Sequence, residues 1–135
     1  MIVIDASVMA VAIGDDAEAG QVARSTISGQ QISAPDLVDV ETVSVLRARW
    51  RAGALTAARF AVAIEDLSDF AADRYPSLPF MRRAFELRHN VTAYDSTYVA
   101  LAELLGCPLV TADLRLASAP GVRCLVTVIA VSSTR

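Results

Sequence analysis

Four acidic residues of this chain stand in apolar surroundings. Asp5 ends the run Met1-Ile2-Val3-Ile4, and Glu41 lies within Leu37-Val38-Asp39-Val40-Glu41-Thr42-Val43. Asp95 heads the apolar stripe of a predicted helix, and Asp113 closes Pro108-Leu109-Val110-Thr111-Ala112. A carboxylate directed at a core is costly unless it is paired or bound to a metal. Clustered together, the four would repel one another, and some would take up protons unless a cation sat among them. Oxygen-only ligands suit Mg2+ or Mn2+. Mg2+ keeps several of its waters, so part of such a set can act through water. An ion held this way polarises a phosphoryl oxygen and deprotonates a water for attack, which is the chemistry of phosphodiester hydrolysis.

Spacing supports an inward placement. Leu37, Val38, Glu41 and Val45 differ by three or four positions and so share one helical face, as do Asp95, Tyr98, Val99, Ala102 and Leu105. Each acid alone has a structural alternative. Asp5 can cap the next helix through the amide of Ser7 or Val8, and Asp113 can cap a turn at 114–117. Asp95 can be an ordinary first-turn acid, and Glu41 can pair with an arginine. One site accounts for all four at once. Ser7 and Thr111, each two residues from a site acid, are candidate supports that orient a carboxylate or a metal-bound water; helix capping or core packing of their hydroxyls is the competing account. His89 is the only histidine and ends a helix, which favours a surface role and argues against a Ser/His/Asp triad. Asp15-Asp16 reads as a solvated helix start, and Asp39 falls on the water-facing side of its helix. Arg47/Arg49/Arg51 and Arg82-Arg83 are solvated faces by default and phosphate contacts by option. Trp50 and Phe60 fit either a partner-binding patch or the core.

The elements that must position these groups alternate. Residues 1–5 read as a buried strand, followed by a short helix from Ser7 and another from Asp16 to about Ser28. Gln31–Ser33 is a second strand. A helix opens at Pro35-Asp36 and runs to Arg51, where Gly53 stops it. Thr56 caps a helix at 57–69. Pro76 and Pro79 break the chain, and Phe80–His89 is helical. Tyr94–Leu105 is a helix closed by Gly106, Leu109–Thr111 a strand, and Asp113–Ala117 a helical turn. Arg123–Ala130 is a last strand. Short buried strands alternating with helices indicate an α/β fold with a parallel sheet. Asp5 and Asp113 then stand at the carboxyl ends of strands, the edge where open α/β sheets bind ligands.

Bulk properties narrow the choice. A length of 135 residues with 54% hydrophobic content suits one domain, 1–135, with a full core. All 12 basic residues are Arg, and the missing Lys excludes a P-loop, a Schiff-base enzyme and a response-regulator receiver. The net charge of −3 gives no general attraction to nucleic acid, so such binding must come from local arginines or from metal. Cys107 and Cys124 lack CxxC spacing, and one His cannot complete a zinc site. With no signal sequence and no membrane-length apolar run, a reduced, cytoplasmic location is expected.

The ordered motifs resemble those of the PIN-domain family, and within it the VapC-type ribonuclease toxins of bacterial toxin–antitoxin pairs. Val3-Ile4-Asp5-Ala6-Ser7-Val8 is similar to the opening strand of that family. Pro35-Asp36-Leu37-Val38-Asp39-Val40-Glu41 resembles its second acidic segment, Tyr94-Asp95-Ser96-Thr97-Tyr98 its third, and Leu109-Val110-Thr111-Ala112-Asp113 its fourth. The resemblance implies a PIN-like three-layer α/β fold, with a short, mostly parallel sheet flanked by helices. It implies a Mg2+- or Mn2+-dependent endoribonuclease acting through Asp5, Glu41, Asp95 and Asp113. It also implies a homodimer, and a small antitoxin whose tail blocks the active site. Some members carry a further acid just after the fourth; here Leu114, Arg115 and Leu116 follow, so one well-held ion is expected rather than two. The competing expectations are another Mg2+-dependent phosphohydrolase or phosphotransferase, and a non-catalytic module that binds RNA or protein. A haloacid-dehalogenase-type enzyme would want a second Asp where Ser7 stands.

Overall fold

The structure is a computed structural model that describes residues 1–131; the last four residues of the expected 1–135 domain lie outside the described residues. The apolar runs form short strands because they are covered on both faces. No residue of β1 (Ile2–Ile4), β2 (Ile32–Pro35) or β4 (Leu109–Thr111) is exposed. With β3 (Asp73–Tyr75) and β5 (Val126–Val128) they make one parallel sheet in the order β3-β2-β1-β4-β5. Val3 lies opposite Ser33 on one side and Leu109 on the other.

This order puts β1 at the centre. The chain first walks outward through β2 to β3, then returns across the sheet to β4 and β5. Crossovers of parallel strands are right-handed, so reversing the walk sends the second set of helices to the opposite face. α1 (Ala6–Gly14), α2 (Glu18–Ile27), α3 (Leu37–Arg51) and α4 (Ala57–Asp69) fill one layer, with α1 packed on the other three. α5 (Met81–Glu86) and α6 (Ala93–Leu105) fill the other, α6 lying against β1, β2 and β4. α6 is buried all round from Ser96 to Ala102, as a helix clamped between sheet and neighbours must be. Ile4, Met9, Leu46, Tyr98, Leu101 and Leu109 are the largest fully buried side chains, each large apolar one contributing roughly 1.5–3 kcal/mol of transfer free energy.

The three-layer α/β expectation holds, with four differences. First, β3 carries no hydrophobic pattern and has no counterpart among the expected strands. Asp73 and Arg74 are exposed, and the strand is held by its backbone pairing to β2. Second, the expected strand at Arg123–Ala130 narrows to Val126–Val128, and the helix expected over 80–89 ends at Glu86. Third, the helix expected from Asp16 begins at Glu18, and Asp15 serves both that start and the end of the helix before it. Asp15 is the C-cap of α1; its Oδ1 accepts from the amides of Ala17 and Gly20, and its other oxygen pairs with Arg49 at 3.4 Å. A β-carbon on Gly20 would lie 1.8 Å from the Asp15 carbonyl oxygen, so only glycine allows this approach. Fourth, the buried stripe of α3 is Val38, Thr42 and Leu46, and Val45 is exposed. Glu41 therefore sits on the border of the buried face rather than at its centre.

Candidate active site

Each of the four acids is delivered by a different element. Asp5 follows β1 and Asp113 follows β4, neighbouring strands on either side of the point where the chain reverses. A crevice at such a reversal, beyond the carboxyl ends of the strands, is the ligand site of open α/β sheets. Glu41 comes from the second turn of α3 and Asp95 from the first turn of α6. Thr92 fixes the start of α6: its Oγ1 accepts from the Asp95 amide at 3.1 Å. The helix therefore begins one residue before the expected Tyr94.

Asp5 is the most confined. It is 6% exposed, and both carboxylate oxygens accept hydrogen bonds. Oδ1 takes one from the Ser7 hydroxyl and one from the Val8 amide at 3.2 Å. Oδ2 takes one from the Thr111 hydroxyl. Ser7 Oγ in turn accepts from the Ala112 amide at 3.1 Å, and Thr111 Oγ1 accepts from the Asp113 amide at 3.0 Å. The web ties the ends of β1 and β4 together. Ser7 and Thr111 are thus brought into direct contact with a site acid, and capping of α1 by Asp5 coexists with that role. The hydroxyl at Ser7 holds Asp5 where a haloacid-dehalogenase-type enzyme would need a second carboxylate.

The other acids are half-buried. Glu41 Oε1 accepts from the Tyr98 hydroxyl at 2.7 Å. Asp95 and Asp113 face one small cleft, of about 180 Å3, together with Asn90, Thr92 and Arg115. Glu41 lines a separate open groove with Val40, Val45 and the exposed ring of Tyr94.

Electrostatics links the four and divides them. Burial pushes the Asp5 carboxyl above its ordinary value, against the pull of its hydroxyl and amide donors. Burial also raises Glu41, helped by the charges of Asp95 and Asp5. Asp95 is raised by burial and by the charges of Asp5 and Asp113. Asp113 goes the other way. The Arg115 guanidinium donates to both of its oxygens, at 3.3 and 3.4 Å, and the Arg115 amide donates at 3.0 Å, so its carboxyl is held below the ordinary value. The Tyr98 phenol is pushed up by burial and by the carboxylate it bonds. Three acids lifted by desolvation, two of them also by neighbouring acids, with oxygen donors only, fit a hard divalent cation. Among the described residues, however, no three Asp, Glu, His or Cys side chains stand close enough to grip one ion as they are placed. Local partners engage three of the carboxylates instead: hydroxyls at Asp5, a phenol at Glu41, a guanidinium at Asp113.

Tyr98 and Arg115 join the site without having been among its expected members. A buried tyrosine needs a partner for its hydroxyl, and Tyr98 lies one helical turn past Asp95; that spacing is the signal that points to it. In the sequence Arg115 stands out only as a position where an acid is missing. The remaining candidates sort plainly. His89 is exposed, as expected. Arg49 and Arg83 are not free phosphate contacts: Arg49 pairs with Asp15, and Arg83 with Glu103 at 2.8 Å. Asp39 pairs with Arg74 at 2.8 Å. Trp50 is exposed and borders, with Val43, Phe60 and Ile64, an apolar groove between α3 and α4. Among the described residues no helix is long and apolar enough to cross a membrane.

The PIN domain profile matches residues 2–122. This chain belongs to the PIN-domain family, in its VapC branch. Ribonuclease VapC9 of Mycobacterium tuberculosis is 41% identical over 129 residues, spanning 96% of this chain and 98% of that one. Among solved structures, VapC20 of Mycobacterium tuberculosis, a sarcin-ricin-loop-cleaving toxin, superposes with a TM-score of 0.68 at 18% identity, over 87% of this chain and 94% of that one. DNA-bound VapBC of Salmonella typhimurium gives a TM-score of 0.61 at 16% identity, over 93% and 96%. At such identities these two establish the fold.

Proposed function

We propose that this chain is a VapC-type toxin, an endoribonuclease that hydrolyses RNA phosphodiesters with a divalent metal, Mg2+ or Mn2+, and that its cognate small antitoxin restrains it. One observation carries the reading. In a chain 41% identical to a VapC ribonuclease, three carboxylates from three elements, all raised by burial, lie around the strand-reversal point, where the Asp5 charge acts on both Glu41 and Asp95. Asp5 and Asp95 would hold the ion, with Glu41 and Asp113 reaching it directly or through water. When bound, the ion supplies Lewis acidity toward a phosphoryl oxygen and a nucleophilic water near neutral pH.

The chain's own residues do the rest. Ser7, Thr111 and the Val8 amide fix the Asp5 carboxylate so that it does not turn away. Oδ2 of Asp5 keeps a lone pair beyond its one accepted bond. Tyr98 orients Glu41, whose raised proton affinity suits it to accept a proton during attack. The protein is a single-domain cytoplasmic homodimer in this reading, as its kinship implies.

The test is cleavage of total bacterial RNA by protein stripped of metal, with and without added Mg2+ or Mn2+. Cleavage should require the ion and vanish in Asp5→Asn and Asp95→Asn. Full activity in both variants, or in excess chelator, rejects the assignment.

A further inference from the structure

The fourth acid is not free to meet a cation, and the group that occupies it belongs to the chain itself. Arg115 lies two residues after Asp113 and spans both of its carboxylate oxygens. Its side chain is 92% exposed, so it packs against nothing that needs it. Nor does the helix cap depend on it, because the bond that starts α7 (Leu114–Ala117) comes from the Arg115 backbone amide. Its charge also reaches Asp95 across the cleft the three residues share. Arg115 is the one basic side chain among the residues lining that cleft.

The geometry points to Arg115 as a resident counter-ion that covers Asp113 in the metal-free protein and turns onto an RNA phosphate once a divalent ion takes the carboxylates. The inference rests on the nuclease reading above. The device is charge exchange. Without metal, the cleft is acidic and would repel RNA, and Arg115 neutralises part of it. A dication held by Asp5 and Asp95, and reached by Asp113, would compete with the guanidinium for the Asp113 oxygens and repel it. A planar fork of donors on a solvated stem, released within reach of the site, is matched to a phosphate diester. One side chain thereby weakens metal capture and strengthens substrate capture, which links the two events.

Two titrations test it, on wild type, Arg115→Ala and Arg115→Lys. Arg123→Ala serves as the control for loss of one positive charge; that residue sits ahead of β5, at the opposite edge of the sheet from β3. In the first, Mn2+ is titrated into metal-free protein and followed by electron paramagnetic resonance. Arg115→Ala should bind Mn2+ roughly 2–5-fold more tightly, the scale of an exposed ion pair. In the second, a fluorescent single-stranded RNA is titrated with Ca2+ replacing Mn2+ to suppress cleavage. Arg115→Ala should bind it several-fold more weakly, with the slope of log K against log salt shallower by about 0.7, one phosphate contact. Arg115→Lys should keep most of the slope and lose part of the affinity. Unchanged or weaker Mn2+ binding by Arg115→Ala overturns the counter-ion role, and an unchanged RNA slope overturns the phosphate role. If wild type binds Mn2+ and RNA while the variants match it, only Arg115 is refuted. If wild type binds neither, the nuclease reading falls and this inference with it.

Discussion

Asp5 and Asp113 occupy equivalent places and are in opposite states. Each follows a buried strand, the strands are neighbours, and each carboxylate caps the helix that comes next, through Val8 in one case and Arg115 in the other. Asp5 is enclosed and held by neutral hydroxyls, which orient it without cancelling its charge, and burial raises its proton affinity. Asp113 is a third exposed on its side chain and held by a cation, which lowers it. Position at the end of a strand makes an acid available; the partner decides whether it remains hungry for a cation. Neutral donors preserve that appetite, and a guanidinium satisfies it.

Exchanging the two acids for amides should break the symmetry most visibly. Asp5→Asn should lower ribonuclease kcat by about 10²–10⁴-fold, the several kcal/mol a catalytic metal is worth. Asp113→Asn should lower it by less, since Asp113 starts from a satisfied state; equal losses, measured under single-turnover conditions, would erase the distinction. Next in size is the removal of the neutral clamps. Thr111→Val and Ser7→Ala should each cost about 10–100-fold in metal affinity or activity, as supports of metal ligands do, and calorimetry with Mn2+ reads this directly.

Stability should move the other way. Asp5, Glu41 and Asp95 have raised values in the folded state, so the folded protein binds more protons than the unfolded chain above the ordinary 3.8 to 4.5. Their contribution is therefore favourable at low pH and is lost as pH rises through the raised values. Asp113, lowered by Arg115, contributes stability above its ordinary 3.8 that is lost only as pH falls below it. Metal-free protein should accordingly lose thermal stability as pH rises from the ordinary carboxylate range through the raised values, and Mn2+ should restore it. Asp5→Asn should raise metal-free stability at pH 7 by roughly 0.5–2 kcal/mol and flatten the slope, whereas Asp113→Asn should lower stability or leave it unchanged. Thermal melts across pH decide this. The smallest effect belongs to Tyr98→Phe, which leaves the half-buried Glu41 short of a donor and should cost roughly 1 kcal/mol of stability while raising Glu41 further, seen as an upward shift of the acidic limb of the pH–activity profile.

Much of this is written in the chain and some is not. Asp5 and Asp113 are legible because a wholly apolar run that ends in an acid marks a buried strand with a charge at its tip. Asp95 follows from helical phase. Glu41 is legible only in part, since the phase that places it also places Val45 inside, and the fold turns α3 so that Thr42 and Leu46 are buried instead. β3 is illegible for a physical reason: a three-residue edge strand reading Asp-Arg-Tyr gains its place from backbone pairing, which leaves no mark in side-chain pattern. Asp15 is legible as a helix start, since its carboxylate accepts from the Gly20 amide in the first turn of α2, but its place as the C-cap of α1 is not. The opposed states of Asp5 and Asp113 are legible only in part: spacing offers Ser7 and Thr111 as supports, but nothing in it announces the Arg115 pairing. They depend on Thr111 and Arg115, whose contacts are made by the folded chain rather than by spacing alone.

The central strand has a consequence for synthesis. β1 is made first among the strands and must wait for β4 before both of its edges are paired, and Asp5 waits for Thr111, 106 positions later. At roughly 5–20 residues per second on the ribosome, that delay is about 5–20 s. The clamp on Asp5 cannot close in a shorter nascent chain, and the long-range pairing makes folding slow relative to a helical bundle of this size. The Asp5 carboxylate and the Thr111 hydroxyl that holds it are thus joined only after more than a hundred residues of chain separate their synthesis.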